Sequence, residues 1–185
     1  MHANNWPKQS QCETFYGNPK GRNGLASSAW ESANLVSIPV PWRMFASWDE
    51  KIVIRKIRVH RKCAESMARV LSAICKSACD EWERQAGPSA DGVVLIGVNA
   101  VLDQWGMSRF GGAYSYRLIR GGNRLSMHSY GCAVDFDPAR NGMGDRTPNF
   151  ANCPEVIRAF KAEGWEWGGD WSSPDAMHFQ AATVR

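Results

Sequence analysis

Apolar and polar positions change rhythm several times along this chain, and each change marks an expected element. Residues 1–48 hold no steady period. "YGNPKGRNG" and "IPVPW" are dense in turn formers, so the segment reads as irregular. Its apolar side chains, among them Trp30, Leu35, Ile38, Trp42 and Phe45, predict that it packs onto the rest of the chain. Residues 51–59, "KIVIRKIRV", carry β-branched residues in partial alternation and predict a strand. From 62 to 86 the period lengthens. Ala64, Met67, Leu71, Ile74, Ala78 and Trp82 recur every three or four residues as one helical stripe, which Gly87 and Pro88 stop.

"GVVLIGV" (92–98) predicts a short buried strand or linker, and "NAVLDQWG" one or two helical turns. Residues 113–117 ("AYSYR"), 131–137 ("GCAVDFD") and 177–180 ("MHFQ") are strand candidates. Asn152 is the expected cap of a helix running to about Glu163, with Pro154 in its first turn, Glu155 at the capping-box position and Gly164 as terminator. Helices beside a small, mostly antiparallel sheet define an α+β class. The length, 185 residues, sets the expectation of one domain spanning 1–185 with no second module.

Composition narrows the function classes. No apolar run approaches the roughly 20 residues that cross a bilayer, so no membrane insertion is expected. "MHANNWPKQSQ" lacks the basic and apolar regions of a secretory signal, which predicts synthesis in the cytoplasm. Net charge is +4 and the pI about 8.8, compatible with an anionic partner. The densest basic cluster, "KIRVHRK", comes without a nucleic-acid-binding signature and reads as solvated surface, so no nucleic acid partner is expected. Six cysteines without a signal read as reduced thiols. Cys63, Cys75 and Cys79 read as fillers of a helix interface in preference to a metal cluster with His60. Asp137, Asn141 and Asp145 lack the spacing of a calcium-binding loop.

The chemistry gathers in two segments. If "GCAVDFD" is a strand, Cys132, Val134 and Phe136 share a core face, while Gly131, Ala133 and Asp135 share a nearly bare one. His128 precedes the strand in a loop that Gly131 lets bend, so its ring can swing towards Asp135. In "MHFQ", Met177 and Phe179 are expected to face inward and His178 and Gln180 the other way. His128, Asp135 and His178 could thus meet at one point. Two imidazoles and a carboxylate suit a catalytic zinc (Zn2+), whose fourth position stays open for water. Asp175, three residues before His178, is placed to take that water's proton. Singly, each residue has an ordinary structural reading; together they point to hydrolysis.

"SMHSYGCAVDFD" fits Ser-x-His-x-x-Gly-x-Ala-x-Asp, and "WEWGGDWSSPDAMHFQ" fits Trp-Gly-Gly-Asp-Trp followed by Asp-x-x-His-Phe. Over residues 93–180 the chain resembles the VanY-like zinc D-Ala-D-Ala carboxypeptidase and L-alanyl-D-glutamate endopeptidase family, in particular its phage endolysin branch. The resemblance implies a LAS-peptidase-like, Hedgehog-like fold, with His128, Asp135 and His178 as zinc ligands and Asp175 as general base. It implies that Arg117 steadies a substrate carbonyl or carboxylate, with Arg120 and Arg124 as neighbouring competitors. Ser126 and Trp171 are assigned to substrate binding, and Asp170 to orienting a ligand imidazole. Of Trp165 and Trp167, one is expected in the core.

Members that trim dipeptides or carboxyl termini usually carry Glu where this chain has Asp175, whereas endopeptidases often carry Asp. The resemblance therefore implies an L-alanyl-D-glutamate endopeptidase acting as a phage or prophage endolysin. Such a protein would be a monomer acting on peptidoglycan in the periplasm after holin-dependent release. The rivals are a D-Ala-D-Ala carboxypeptidase and a zinc-bearing wall-binding domain without activity.

Overall fold

Strand, helix and turn follow the changes of period along most of the chain. The computed structural model describes residues 4–86 and 94–184. Its helices are α1 (Cys12–Tyr16), α2 (Ser28–Asn34), α3 (Arg61–Ala86), α4 (Val94–Gln104) and α5 (Pro154–Ala162). Its strands are β1 (Leu35–Ala46), β2 (Asp49–His60), β3 (Arg109–Gly112), β4 (Ala133–Phe136), β5 (Glu166–Trp167) and β6 (His178–Gln180). The six strands form one sheet in the order β2-β1-β3-β4-β6-β5. Only the β1–β3 pair is parallel. The fold is α+β.

α3 lays Cys63, Met67, Val70, Leu71, Ile74 and Ala78 against the sheet as one buried stripe. Ser66 lies on the same face, and its hydroxyl accepts the indole N–H of buried Trp165 at 2.8 Å, which satisfies both polar groups. Behind β4 and β6, Phe160 stacks on Phe179 at 4.0 Å between centroids, with Phe136 and Phe150 edge-on or tilted around them. This aromatic block fills one face of the small strands and leaves the other for chemistry.

Several expectations are corrected. The described part of the 1–48 segment, residues 4–48, is not irregular: it holds α1, α2 and the twelve-residue β1. Pro39 and Pro41 disguised that strand, because proline cannot donate to a ladder. Here the register with β2 breaks between Pro39 and Met44. "GVVLIGV" is not a strand from 94 onward but the start of α4, whose Val98, Val101 and Leu102 are buried at helical spacing, with Trp105 buried just past its end. The start of that run, and the Gly87 and Pro88 stop, lie outside the described residues.

Residues 113–117 form no strand; their backbone bonds instead to the 126–129 turn. α5 has Cys153 rather than Asn152 at its N-cap, with no side-chain cap, and Glu155 pairs with Arg158 instead. Gly164 does terminate the helix, with φ +78°. All six cysteines are free thiols. No helix among the described residues is long and apolar enough to cross a membrane.

β2 ends on His60, which is wholly buried. Its Nε2 donates to the Tyr16 carbonyl, and its Nδ1 accepts the Lys62 N–H, each at 3.1 Å, so the ring is neutral. Burial, helped by Lys62 and Arg61 and opposed by the Tyr16 carbonyl, pushes its pKa down to about 4. An unfolded histidine titrates near 6.5, so the unfolded chain binds the proton first. The neutral ring's contribution is then complete above pH 6.5 and lost as pH falls through about 4, about 3 kcal/mol in all. Urea midpoints of the wild type should therefore fall between pH 6.5 and 4 more steeply than those of His60→Gln. Parallel profiles would rule the residue out as the cause.

Candidate metal centre and its cleft

Strand alternation builds the centre. β4 and β6 are antiparallel with Val134 opposite Phe179 and Asp135 opposite His178. The first pair faces the aromatic core and the second faces away from it, since successive side chains alternate. The Asp135 carboxylate Oδ1 lies 2.9 Å from His178 Nδ1. His128 arrives from a 3-10 turn, Met127–Tyr130, capped by Ser126, whose Oγ accepts the His128 N–H at 3.4 Å. Gly131 closes that turn in the left-handed region, φ +66°, and its carbonyl accepts the His60 N–H at 2.7 Å. The bend expected at Gly131 is thus present. It brings His128 Nε2 to 3.2 Å from both Asp135 Oδ2 and His178 Nδ1.

The hydrogen bonds around the rings define which atoms face inward. His128 Nδ1 donates to the Ala113 carbonyl at 2.6 Å, so Nε2 presents its lone pair to the centre. Gln180 is wholly buried, and its Nε2 donates to Ala182 O at 3.0 Å. Its Oε1 is thereby turned towards His178 Nε2, which donates to it at 3.2 Å and leaves Nδ1 as the inward lone pair. One ligand atom from each of His128, Asp135 and His178 lies within 4.8 Å of the others. Two imidazole lone pairs and a carboxylate converging in a buried place fit a zinc ion by donor type and number.

Electrostatics favour an ionised Asp135 at this place. Burial works against the Asp135 charge, yet hydrogen bonds with His128 and His178 outweigh it and hold the carboxyl well below the usual carboxylate range. Burial likewise opposes a charge on His178, but the Asp135 carboxylate prevails and moves its pKa up.

The Asp175 carboxyl stands beside the three without a hydrogen bond to their side chains. The Gly168 carbonyl accepts its N–H at 2.9 Å, and its own carbonyl accepts the His178 N–H at 3.0 Å. A side chain on Gly168 would meet the Asp175 carbonyl at 2.3 Å, so the tryptophan-flanked glycine serves the approach of this turn rather than of a ligand. Asp175 Oδ1 is buried and has no hydrogen-bond partner. Burial raises its carboxyl above the usual range, against the pull of His178.

A cavity of about 600 Å³ opens over these groups, lined also by Arg117, Arg120, Ser126, Met143 and Trp171. Arg117 is not carried on a strand. Its backbone is held by Ser129, whose Oγ accepts the Arg117 N–H at 2.9 Å and donates to its carbonyl at 2.7 Å. Trp171 is half-buried with its ring 5.5 Å from that of His178, whereas Trp165 and Trp167 are both core. Ser126 is 5% exposed, and its hydroxyl accepts the His128 N–H. Met177, expected inward, is half-buried on the cavity wall because it sits in the turn before β6.

Asp170 is a correction. It pairs with Lys161 at 2.7 Å on the surface, and the roles of orienting the imidazoles fall to Gln180 and the Ala113 carbonyl. Gln180 had a signal in the sequence, its two-residue spacing from His178, and Ser129 lies one residue after His128. A backbone carbonyl such as that of Ala113 has no signature at all. The Asp137 loop is closed by its own bonds: Asp137 pairs with Arg140, and Asn141 bonds to Asp137 and to the Phe150 N–H.

Residues 120–181, about a third of the chain, match the family model of D-alanyl-D-alanine carboxypeptidase. The matched span includes all three converging ligands and Asp175. No solved structure matches the chain. The match supports a zinc metallopeptidase acting on peptidoglycan. In His178→Ala, elemental analysis of purified protein should find most of the zinc gone. Zinc content equal to the wild type would remove His178 from the ligand set.

Proposed function

We propose that this protein is a zinc-dependent endopeptidase of peptidoglycan stem peptides, cutting between L-alanine and D-glutamate in the manner of a phage or prophage endolysin. The observation that carries the peptidase reading is the buried, unpartnered Asp175 Oδ1 in the same cavity as His128, Asp135 and His178. A carboxylate oxygen that is buried yet has no hydrogen-bond partner is available to a reacting group. Zinc held by His128 Nε2, His178 Nδ1 and Asp135 would supply a Lewis acid that polarises a carbonyl and acidifies water.

This chain's own residues do the rest. Asp175 takes a proton from the attacking water and delivers it to the amide nitrogen as the C–N bond breaks. Arg117, fixed at its backbone by Ser129, donates N–H groups to the carbonyl oxygen as negative charge develops there. Gln180 keeps His178 in the tautomer that faces inward.

Support for an internal cut comes from two features. The base is Asp rather than Glu, and the cleft continues past Arg117 into a second cavity, leaving room on both sides of a scissile bond. The family model's description favours a second reading, a carboxypeptidase that trims terminal D-alanine. As an endolysin the protein would act from the periplasmic side after release by a membrane-permeabilising partner. Its net charge of +4 suits the anionic wall.

Asp175→Asn should keep bound zinc and the folded state while losing about 10²-fold or more in turnover on purified sacculi. Turnover close to wild type would remove Asp175 from the mechanism. Product analysis decides between the two readings: new D-glutamate amino termini accompany an internal cut, and free D-alanine accompanies trimming.

A further inference from the structure

Next to the metal cleft lies a larger cavity, about 790 Å³, whose far wall is built by a part of the chain outside the span that matches the family model. Gln9, Ser10, Glu13, Asn18, Lys20 and Gly24 form that wall, and residues 116–119 and 123–125 form the near one. The two cavities share Gln9, Arg117, Leu118, Ile119 and Met127, so they are two ends of one trough. The wall from the N-terminal segment is fixed in place. Gln9 N–H donates to Thr183 O at 2.8 Å and its side chain donates to Gln180 Oε1 at 3.1 Å, while the Tyr16 hydroxyl donates to Ala181 O at 2.6 Å.

Charge in this second cavity is lopsided. Lys20, Arg117 and Arg124 line it, and none of them forms an ion pair among the described residues. The single carboxylate, Glu13, accepts a hydrogen bond from Asn18 Nδ2 at 2.9 Å. With Arg117 given to the reacting carbonyl, Lys20 and Arg124 remain as cations of this cavity without an ion pair, a lining complementary to an anion, and carboxylates are what such groups bind with charge-assisted hydrogen bonds.

We infer that this cavity is a carboxylate-reading subsite, in which Lys20 and Arg124 bind the free α-carboxylate of the stem peptide's D-glutamate just beyond the scissile bond. The inference rests on the endopeptidase reading above for the identity of its ligand. Arg117 stands at the junction and serves the reacting carbonyl, whereas Lys20 and Arg124 act on substrate selection.

The test uses two synthetic stem peptides that differ only at D-glutamate, one with a free α-carboxylate and one with the carboxamide. Titration calorimetry on the zinc-loaded Asp175→Asn protein should show the acid binding about tenfold tighter than the amide. Adding Lys20→Gln and Arg124→Gln together should bring that ratio close to one, the amide peptide serving as internal reference for any general damage. Equal affinities before those changes, or an unchanged ratio after them, would overturn the subsite. Cleavage of both peptides by the wild type is read separately. A preserved ratio without cleavage sinks the peptidase reading and keeps the subsite; cleavage with a ratio of one does the reverse.

Discussion

The centre depends on one cross-strand pairing, Asp135 opposite His178 on neighbouring antiparallel strands. A slip of one residue would turn either side chain into the aromatic core, because side chains alternate with a period of two. The adjoining pair guards against that slip. Val134 and Phe179 are opposite one another on the core face, and Phe179 is clamped between Phe160, Phe150 and Trp167. Packing of apolar rings on one face therefore sets the spacing of the candidate metal-binding atoms on the other.

The third ligand comes from outside the sheet and is held by different means. His128 sits in a capped turn ended by a left-handed glycine, and its ring is oriented by a backbone carbonyl from residue 113. Asp175 is held by a turn pressed onto Gly168. Both devices leave side chains aimed at a shared space while their backbones are tied to neighbours. This division, with backbone atoms used for holding and side-chain atoms kept free, is what lets a small site be rigid and still reactive.

The N-terminal segment is part of the same construction. Gln9 shares the Gln180 acceptor with His178, and Tyr16 bonds to the chain just past β6 while its carbonyl receives the His60 and Trp30 side chains. Two walls of one trough therefore come from segments about a hundred residues apart in the sequence. The resemblance that marks the chemistry covers one of them, and the shape of the trough is settled by both.

Local order in the sequence was enough to determine the long helix α3, the strands carrying Asp135 and His178, and the alternation that puts those two side chains on the face away from the core. Those follow from side-chain periodicity and from the chemistry of His, Asp and glycine, which act over a few residues. Tertiary structure decided the rest: that the proline-bearing stretch becomes β1, that an apolar run becomes α4, that Ser129 rather than a strand positions Arg117, and that Gln180 rather than Asp170 orients His178. Each of these turns on which distant group supplies a missing hydrogen bond or covers an apolar face. Such partners lie tens of residues away, so no local pattern records them.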